Sequence, residues 1–488
     1  MSSPQEFETR PIPQLLWSYA LPAIVGQLVS SIYNIADRVI LGQYVGPLAI
    51  AGLAITLPVM NIIHAFGSLV GAGSAARLSI VLGRKDIHWA EKILGNSMLL
   101  TFFFGILFVT GGYLFMDSIL SAFGASPDTL AYARTYMYIV LPGMFLTTLA
   151  FNLTGLIRSS GYPTKSMWIL AGGALLNIVL DLLFITVFHW GIAGAAWATT
   201  VSMGVASLFA VWHFVPRLET RISKLSRFSR LSSKASPSVC FRAHAWAPKG
   251  YIIRNILAIG ISPFLMNVAA SGVAVIINHQ LLRYGGDLAV GAYGIINSTC
   301  LIVFLLFMGI CQGMQPIAGY NYGAGHTHRL RQVYSLTLIV CLVAGVLGTV
   351  VCCGFPRLIL RCFTTDATLI ELGVPSIRYL TVMFPLIAFT IINSQFFQSI
   401  DMPWIAIVTS LSRQVLFLVP MMYLVPMLFV QSGGNGLIGV WASCTLSDVF
   451  GALLAGVLLF SQRAVFHEGY KPKFRGPRKE RGPKGVES

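Results

Sequence analysis

Charge is what this 488-residue chain has least of. Asp, Glu, Lys and Arg make up 10% of it, with only 17 acids, against 56% hydrophobic residues and a mean hydropathy of +0.75. Soluble domains run near a quarter charged, so a soluble fold of this length is excluded and a polytopic membrane protein remains. The eight cysteines (Cys240, Cys300, Cys311, Cys341, Cys352, Cys353, Cys362 and Cys444) include no C-x-x-C pair. A zinc or dithiol motif is therefore absent, and they read as small packing residues. No Walker motif occurs, and "GAGSAA" (71–76) lacks the strand that a nucleotide loop requires, which excludes ATP-driven transport. Met1–Pro13 is polar and mixed in charge with no small-residue cleavage site after it, so the first apolar segment is expected to be a retained span. The N-x-T triplets at Asn152 and Asn297 fall inside apolar runs and read as chance. The net charge of +16 sits in loops and tail, which points to topology and anionic lipid contact; no nucleic-acid partner is expected.

A span needs about 20 apolar residues. Twelve are predicted, at 15–42, 47–75, 93–116, 131–155, 166–188, 192–215, 254–280, 288–318, 333–355, 374–398, 404–430 and 435–460. Arg84, Lys85, Lys92, Arg158, Lys165, Arg329 and Arg331 fall in loops on one side, together with the basic 216–253 connection and the tail. The positive-inside rule makes that side the cytoplasm, with Arg357 and Arg361 as exceptions. The expected organisation is a cytoplasmic N-terminus (1–14), an N-lobe (15–215), a basic cytoplasmic linker (216–253), a C-lobe (254–460) and a basic cytoplasmic tail (461–488).

The halves resemble each other at an offset of 240 residues. "GAGSAARLSIVLGRKD" (71–86) aligns with "CQGMQPIAGYNYGAGH" (311–326), setting Gly73 on Gly313 and Gly83 on Gly323. "LGQYVGPLAIAG" (41–52) aligns with "LLRYGGDLAVGA" (281–292), and Pro163 falls on Pro403. Six spans per copy give both copies the same orientation, hence two all-α, six-helix, pseudo-symmetric lobes around a central cleft.

Ionisable residues inside spans call for a functional hypothesis. Asp37, Asp181 and Asp448 qualify. In "GGALLNIVLDLLFITVF" (172–188), Asn177 and Asp181 are spaced i, i+4 and share one helix face. Asp181 lies ~10 Å from the outer end of span 5, and Thr199 and Asp37 reach a similar depth on spans 6 and 1. Such a cluster suits a small cation or shared protons. At the repeat offset Asp37 falls on Ile277, Asn177 on Phe417 and Asp181 on Met421, so the polar group is confined to one lobe. Arg38 is expected at the outer interface. Asp448 either lines the cleft or pairs with Arg413, and Gln27 and Asn34 of span 1 are further candidates for the cleft wall. Pro22 interrupts the backbone bonding of span 1, as a static bend or as a hinge. Glycines at 67–73 and 191–194 read as close-packing positions.

These motifs, with "LPAIVGQLVSSIYNIADRVILGQYVG", "LLNIVLD", "GIAGAAWATT" and "LSRQVLFLVP", resemble the multidrug and toxic compound extrusion (MATE) transporters, over Leu15 to about Phe460. The resemblance implies a cation site at Asp37, Asn177, Asp181 and Thr199, a supporting network of Tyr33 and Tyr136 (with Tyr138 as the alternative), and Pro22 as a bending point. Relatives with a C-lobe site carry acids in spans 7 and 10, where this chain has Asn267, Ser271, Asn393 and Gln395. The linker and tail depart from the compact pattern and read as solvated.

The expected activity is H⁺- or Na⁺-coupled antiport, exporting organic, often cationic or amphipathic compounds by alternating access. The expected setting is the plasma membrane, as a monomer among lipids, with no cofactor beyond the coupling ion and no metal beyond Na⁺ at the coupling site. The rivals are a lipid-linked oligosaccharide flippase, which should line its cleft with several Arg or Lys, and an integral-membrane transferase, which should place a His/Asp or paired-acid site near an interface.

Overall fold

The computed structural model describes residues 6–215 and 239–470, and every regular element among them is helical. Hydrocarbon offers the backbone no hydrogen-bond partner, so an open chain crosses it as helices that satisfy their own amides. The first six spans are α1 (Ile12–Tyr44), α2 (Pro47–Gly83), α3 (Ile87–Leu114), α4 (Pro127–Ser159), α5 (Pro163–Asp181, continued by a π-helical stretch Leu182–Val187) and α6 (Gly191–Phe214). The helical run Gly250–Ala324 breaks at Gly286, where φ is 64°, into α7 (250–285) and α8 (287–324). Next come α9 (Thr327–Gly354), α10 (Ala367–Thr381 and Phe384–Ser399), α11 (Pro403–Gln431, with a π-helical stretch Ser412–Leu418) and α12 (Gly436–Ser461). With the broken run counted as two spans and the bent α10 as one, there are the twelve that hydropathy predicts.

The bend in α10, 43° between its two pieces, was not expected from the sequence. Pro385 has no amide to offer the Thr381 carbonyl, which accepts instead from the Thr349 hydroxyl of α9 at 2.7 Å. Pro22, by contrast, sits within an unbroken α1.

The repeat is written into the backbone. Positive φ values fall on Gly46 and Gly286, on Lys85 and Gly325, and on Gly161 and Asp401, each pair 240 residues apart. Pro163 and Pro403 each open a helix, where a missing amide costs nothing.

The lobes meet along the face that carries Arg84, Lys85, Lys92 and Arg329, here called the basic face. Two contacts there are reciprocal. Gly83 of α2 lies against the Tyr320 carbonyl of α8 with no room for a methyl group, and Gly323 of α8 lies likewise against the Ile80 carbonyl of α2. Gly73 meets α7 at Ile256 in the same way, and Gly313 meets α1 at Ala20. Arg77 and Asp401 add an ion pair of 2.8 Å across the seam, both side chains 4% exposed. A short helix, Glu6–Thr9, staples the same face. Phe7 is fully buried between Tyr19 and Tyr320, and Glu8 pairs with Lys85 (3.1 Å) while accepting from the Tyr320 hydroxyl (3.0 Å). The Lys85 ammonium holds the Glu8 carboxyl below its ordinary range. Phe66, Ser68, Phe264 and Asn267 touch across the middle of the seam; on the basic-face side of them α2 is buried from Ser68 to Gly83 except at Ala72, whereas beyond them α2 is mixed and α1 keeps only Ile40 and Leu41 buried past Gly26. The cleft therefore opens away from the basic face.

Residues 216–238 and 471–488, most of the linker and tail, lie outside the described residues. The reading of the whole connection as solvated does not hold for its last stretch. Val239 and Ala245 are fully buried, Phe241 donates its amide to the Phe214 carbonyl (2.9 Å), and Asn96 of α3 bonds both the Ala247 carbonyl (3.2 Å) and the Lys249 amide (2.9 Å). Glu91, 2% exposed, takes Arg242 at 3.1 Å and His244 at 3.0 Å. The docked segment supplies the counter-charge that lets a carboxylate sit inside the end of α3.

Gly83→Val and Gly323→Val should each pry the seam open, because overpacking a tight contact costs ~1–3 kcal/mol. Spin labels placed on the two lobes at the basic face should report longer, broader distances. Unchanged distances in both variants would show that something other than these glycines sets the angle between the lobes.

Candidate cation site in the N-lobe

Four helices deliver the polar group. Tyr33 and Asp37 share one face of α1 at i, i+4; Tyr136 comes from α4, Asn177 and Asp181 from α5, and Thr199 from α6. Small residues bring these helices together: Gly143 of α4 touches Thr200, and Gly173 of α5 touches Ala206, both on α6. Asn177 and Asp181 are fully buried and Tyr136 is 4% exposed. The Asn177 amide stands between Thr199 and Asp181. As placed, it donates to the Thr199 hydroxyl at 3.3 Å; turned over, as its neighbours favour, it donates to Asp181 Oδ2 at 3.2 Å. Asp37 lies close enough to act electrostatically on Asp181, and both carboxylates act on Tyr33 and Tyr136.

One oxygen of each carboxylate, Asp37 Oδ1 and Asp181 Oδ1, is buried and without a hydrogen-bond partner. Burying a polar atom in this way is costly unless something fills the gap. No Lys, Arg or His lies within 4 Å of either among the described residues, and the adjacent Arg38 is exposed. Two carboxylates with amide and hydroxyl oxygens make a hard-donor set suited to a proton or an alkali cation. Among the described residues, no three His, Cys, Asp or Glu could hold a metal together. The π-helical stretch Leu182–Val187 begins at the residue after Asp181, and such stretches recur at functional positions.

The other candidates separate from this group. Tyr138 is 63% exposed and lends only its carbonyl, to the Tyr113 hydroxyl (2.8 Å), so Tyr136 is the tyrosine that joins the cluster. Asn34 is exposed and donates to the Ser30 carbonyl of its own helix at 2.7 Å. Gln27 and Pro22 line a separate cavity nearer the basic face. Asp448 offers no free carboxylate to a cleft: it pairs with Arg413 at 2.9 Å and is 5% exposed. Of the C-lobe residues standing where relatives carry acids, Asn267 bonds Ser68 and the Pro263 carbonyl, Ser271 donates to the Asn267 carbonyl, and Asn393 accepts from the Tyr334 hydroxyl. Gln395 lines a C-lobe cavity.

Sequence reasoning misses four buried charges, Arg77, Glu91, Asp401 and Arg158. Asp401 was not recognised, because it sits in a turn and its partner Arg77 is 324 residues away. Arg158, which hydropathy places in a loop, is 9% exposed in the last turn of α4. A signal for it existed: its repeat counterpart is Gln398, itself 2% exposed, so both copies hold a buried polar side chain there.

Among the described residues, twelve spans in two repeated lobes, with a pair of unpartnered carboxylates in the N-lobe alone, define an internally duplicated integral-membrane protein. The MatE family profile matches twice, over residues 22–183 and 263–424, and the chain belongs to that family. The two matches repeat the internal duplication to within one residue of the 240 offset. The chain is 25% identical over 457 residues to the multidrug export protein MepA of Staphylococcus haemolyticus (strain JCSC1435), covering 94% of this chain and 95% of that protein. MepA of Staphylococcus aureus (strain MRSA252) is equally similar. Among solved structures, a MOP-superfamily transporter from Pyrococcus furiosus superposes with a TM-score of 0.83 at 22% identity, over 95% of this chain and 98% of that one. A MATE structure in the bent conformation superposes with a TM-score of 0.84 at 21% identity, with the same coverage.

Asp448→Asn should destabilise the C-lobe by ~3–5 kcal/mol, because Arg413 would keep a buried charge without its partner. Replacing both, as Asp448→Leu with Arg413→Met, should recover most of that loss in thermal unfolding of the purified protein. A single variant as stable as the parent would show that the pair carries no such constraint.

Proposed function

We propose that this protein is a cation-coupled antiporter that expels organic, often cationic or amphipathic compounds from the cytoplasm. It works in the plasma membrane with both termini inside, as a monomer among lipids. The observation that carries the reading is the pair of buried, unpartnered carboxylate oxygens on Asp37 and Asp181, without a counterpart in the other lobe. Names of relatives support export of drugs, and the resemblance to transporters that carry this motif supports coupling.

The chemistry follows from charge in a low dielectric. Two apposed carboxylates repel each other, and titrate as one coupled unit. A proton or Na⁺ arriving from the open side of the cleft removes the repulsion, with Asn177 and Thr199 supplying neutral oxygens. Asp37 on α1 can then draw toward α5, narrowing the N-lobe side of the cleft and displacing substrate outward. Pro22 gives α1 a point where the helix can bend without breaking a backbone hydrogen bond. Loss of the ion to the inside restores the repulsion, and the seam at the basic face opens to admit new substrate. Binding energy shifts this equilibrium only through its difference between the two states.

The test is efflux of an organic cation such as ethidium from proteoliposomes, with proton and Na⁺ gradients imposed separately. One gradient or both should drive efflux. Asp37→Asn and Asp181→Asn should each reduce it to the level of empty liposomes while the protein still inserts. Asn177→Ala and Thr199→Ala should retain part of it, since both charges remain. Full ion-driven efflux by either aspartate variant would overturn the coupling assignment.

A further inference from the structure

Two internal cavities occupy equivalent places in the two repeats. Gly26, Phe151, Thr154 and Leu170 line one; Met266, Ile391, Ser394 and Ser410, each 240 residues further on, line the other. Each cavity contains one arginine, and the two arginines are treated differently. Arg413, in the C-lobe cavity, is neutralised by Asp448 at 2.9 Å. Arg158, in the N-lobe cavity, meets no carboxylate within 4 Å among the described residues, and no neighbouring charge acts on it. Its one hydrogen bond is to a neutral group, the Gln312 Oε1 of α8 at 2.9 Å. A guanidinium has five N–H donors and does not give up its proton in a protein. Arg158 lines a cavity whose other polar walls are neutral: Gln27, Ser30, Thr154, Ser166 and Gln312.

Burying a charge of either sign without a counter-charge is among the costliest arrangements in a membrane-embedded protein. In the C-lobe the chain supplies the counter-charge; in the N-lobe none is supplied among the described residues. A second feature points the same way. Pro163, the first residue of the 19-residue helix α5, and Ser166, in its first turn, both line this cavity, so the electropositive end of α5 adds to the Arg158 charge. The cavity measures about 60 Å³, room for a halide ion or a single carboxylate group but too little for a drug-sized molecule.

We propose that this N-lobe cavity binds a small monovalent anion, a halide or a carboxylate, with Arg158 as its principal ligand. The site is separate from the Asp37–Asp181 pair, and its test does not depend on whether that pair couples transport.

The experiment is equilibrium binding of ³⁶Cl⁻ and of ¹⁴C-acetate to the purified full-length protein in lipid nanodiscs, with gluconate, too large for the cavity, as the balancing anion. The wild type should bind one of the two saturably at about one site per chain. Chloride displaced by acetate would identify a general small-anion site, and acetate binding alone a carboxylate-selective one; either supports the proposal. Arg158→Gln should weaken binding at least tenfold, and Arg158→Lys should retain part of it. Ser166→Asp should weaken it to a similar degree by placing a carboxylate in the cavity, as Asp448 does for Arg413. This last variant keeps Arg158, and it decides the matter if Arg158→Gln does not fold. No saturable binding of either anion to the wild type would overturn the proposal, as would unchanged binding in the folded variants.

Discussion

A charge inside a membrane has nowhere to go. It must find a partner within the protein or be held there for a purpose, because the surrounding hydrocarbon neither solvates nor screens it. That constraint sorts the buried ionisable residues of this chain. Arg77 is matched by Asp401, Arg413 by Asp448, and Glu91 by Arg242 and His244. Those pairs hold the lobes together, fix α11 to α12 and anchor the end of the linker to α3. Among the described residues, what remains is the Asp37–Asp181 pair and Arg158, both in the N-lobe. The same lobe therefore carries two sites whose charge no described residue compensates, one negative and one positive.

The two lobes share a backbone plan but not a chemistry. The positive-φ turns and helix-opening prolines recur at the repeat offset because they define the path of the chain, and any departure would move whole helices. The seam glycines recur for a related reason. Gly83 and Gly323 each touch the other's helix about a pseudo-twofold axis, and a side chain at either position would separate the lobes. The polar positions of the carboxylate site and of the N-lobe cavity are under no such requirement. There the copies diverge, with Asp181 against Met421 and Arg158 against Gln398. Each lobe also has one π-helical stretch, and the two do not coincide at the repeat offset: one follows Asp181 and the other contains Arg413.

Closure at the basic face explains how such a divergent pair of lobes can act as one machine. The reciprocal glycine contacts, the Arg77–Asp401 pair and the staple around Phe7 and Glu8 all lie at the end opposite the cleft mouth. A rocking motion that opens this end must break all of them together, which favours two discrete arrangements over a continuum.

Much of this was legible in the sequence. The twelve spans follow from runs of apolar residues, the repeat from matching glycines and prolines, and the common face of Asn177 and Asp181 from helical spacing. These are local properties: each depends on residues within a few turns of one another, or on two stretches that look alike. Tertiary structure decided the rest. It paired Asp448 with an arginine 35 residues away and Arg77 with an aspartate 324 residues away. It buried Arg158, chose Tyr136 over Tyr138, docked the end of the linker and bent α10 at Pro385. Whether a charge is neutralised depends on which distant side chain packing brings beside it, and no periodicity along the chain records that.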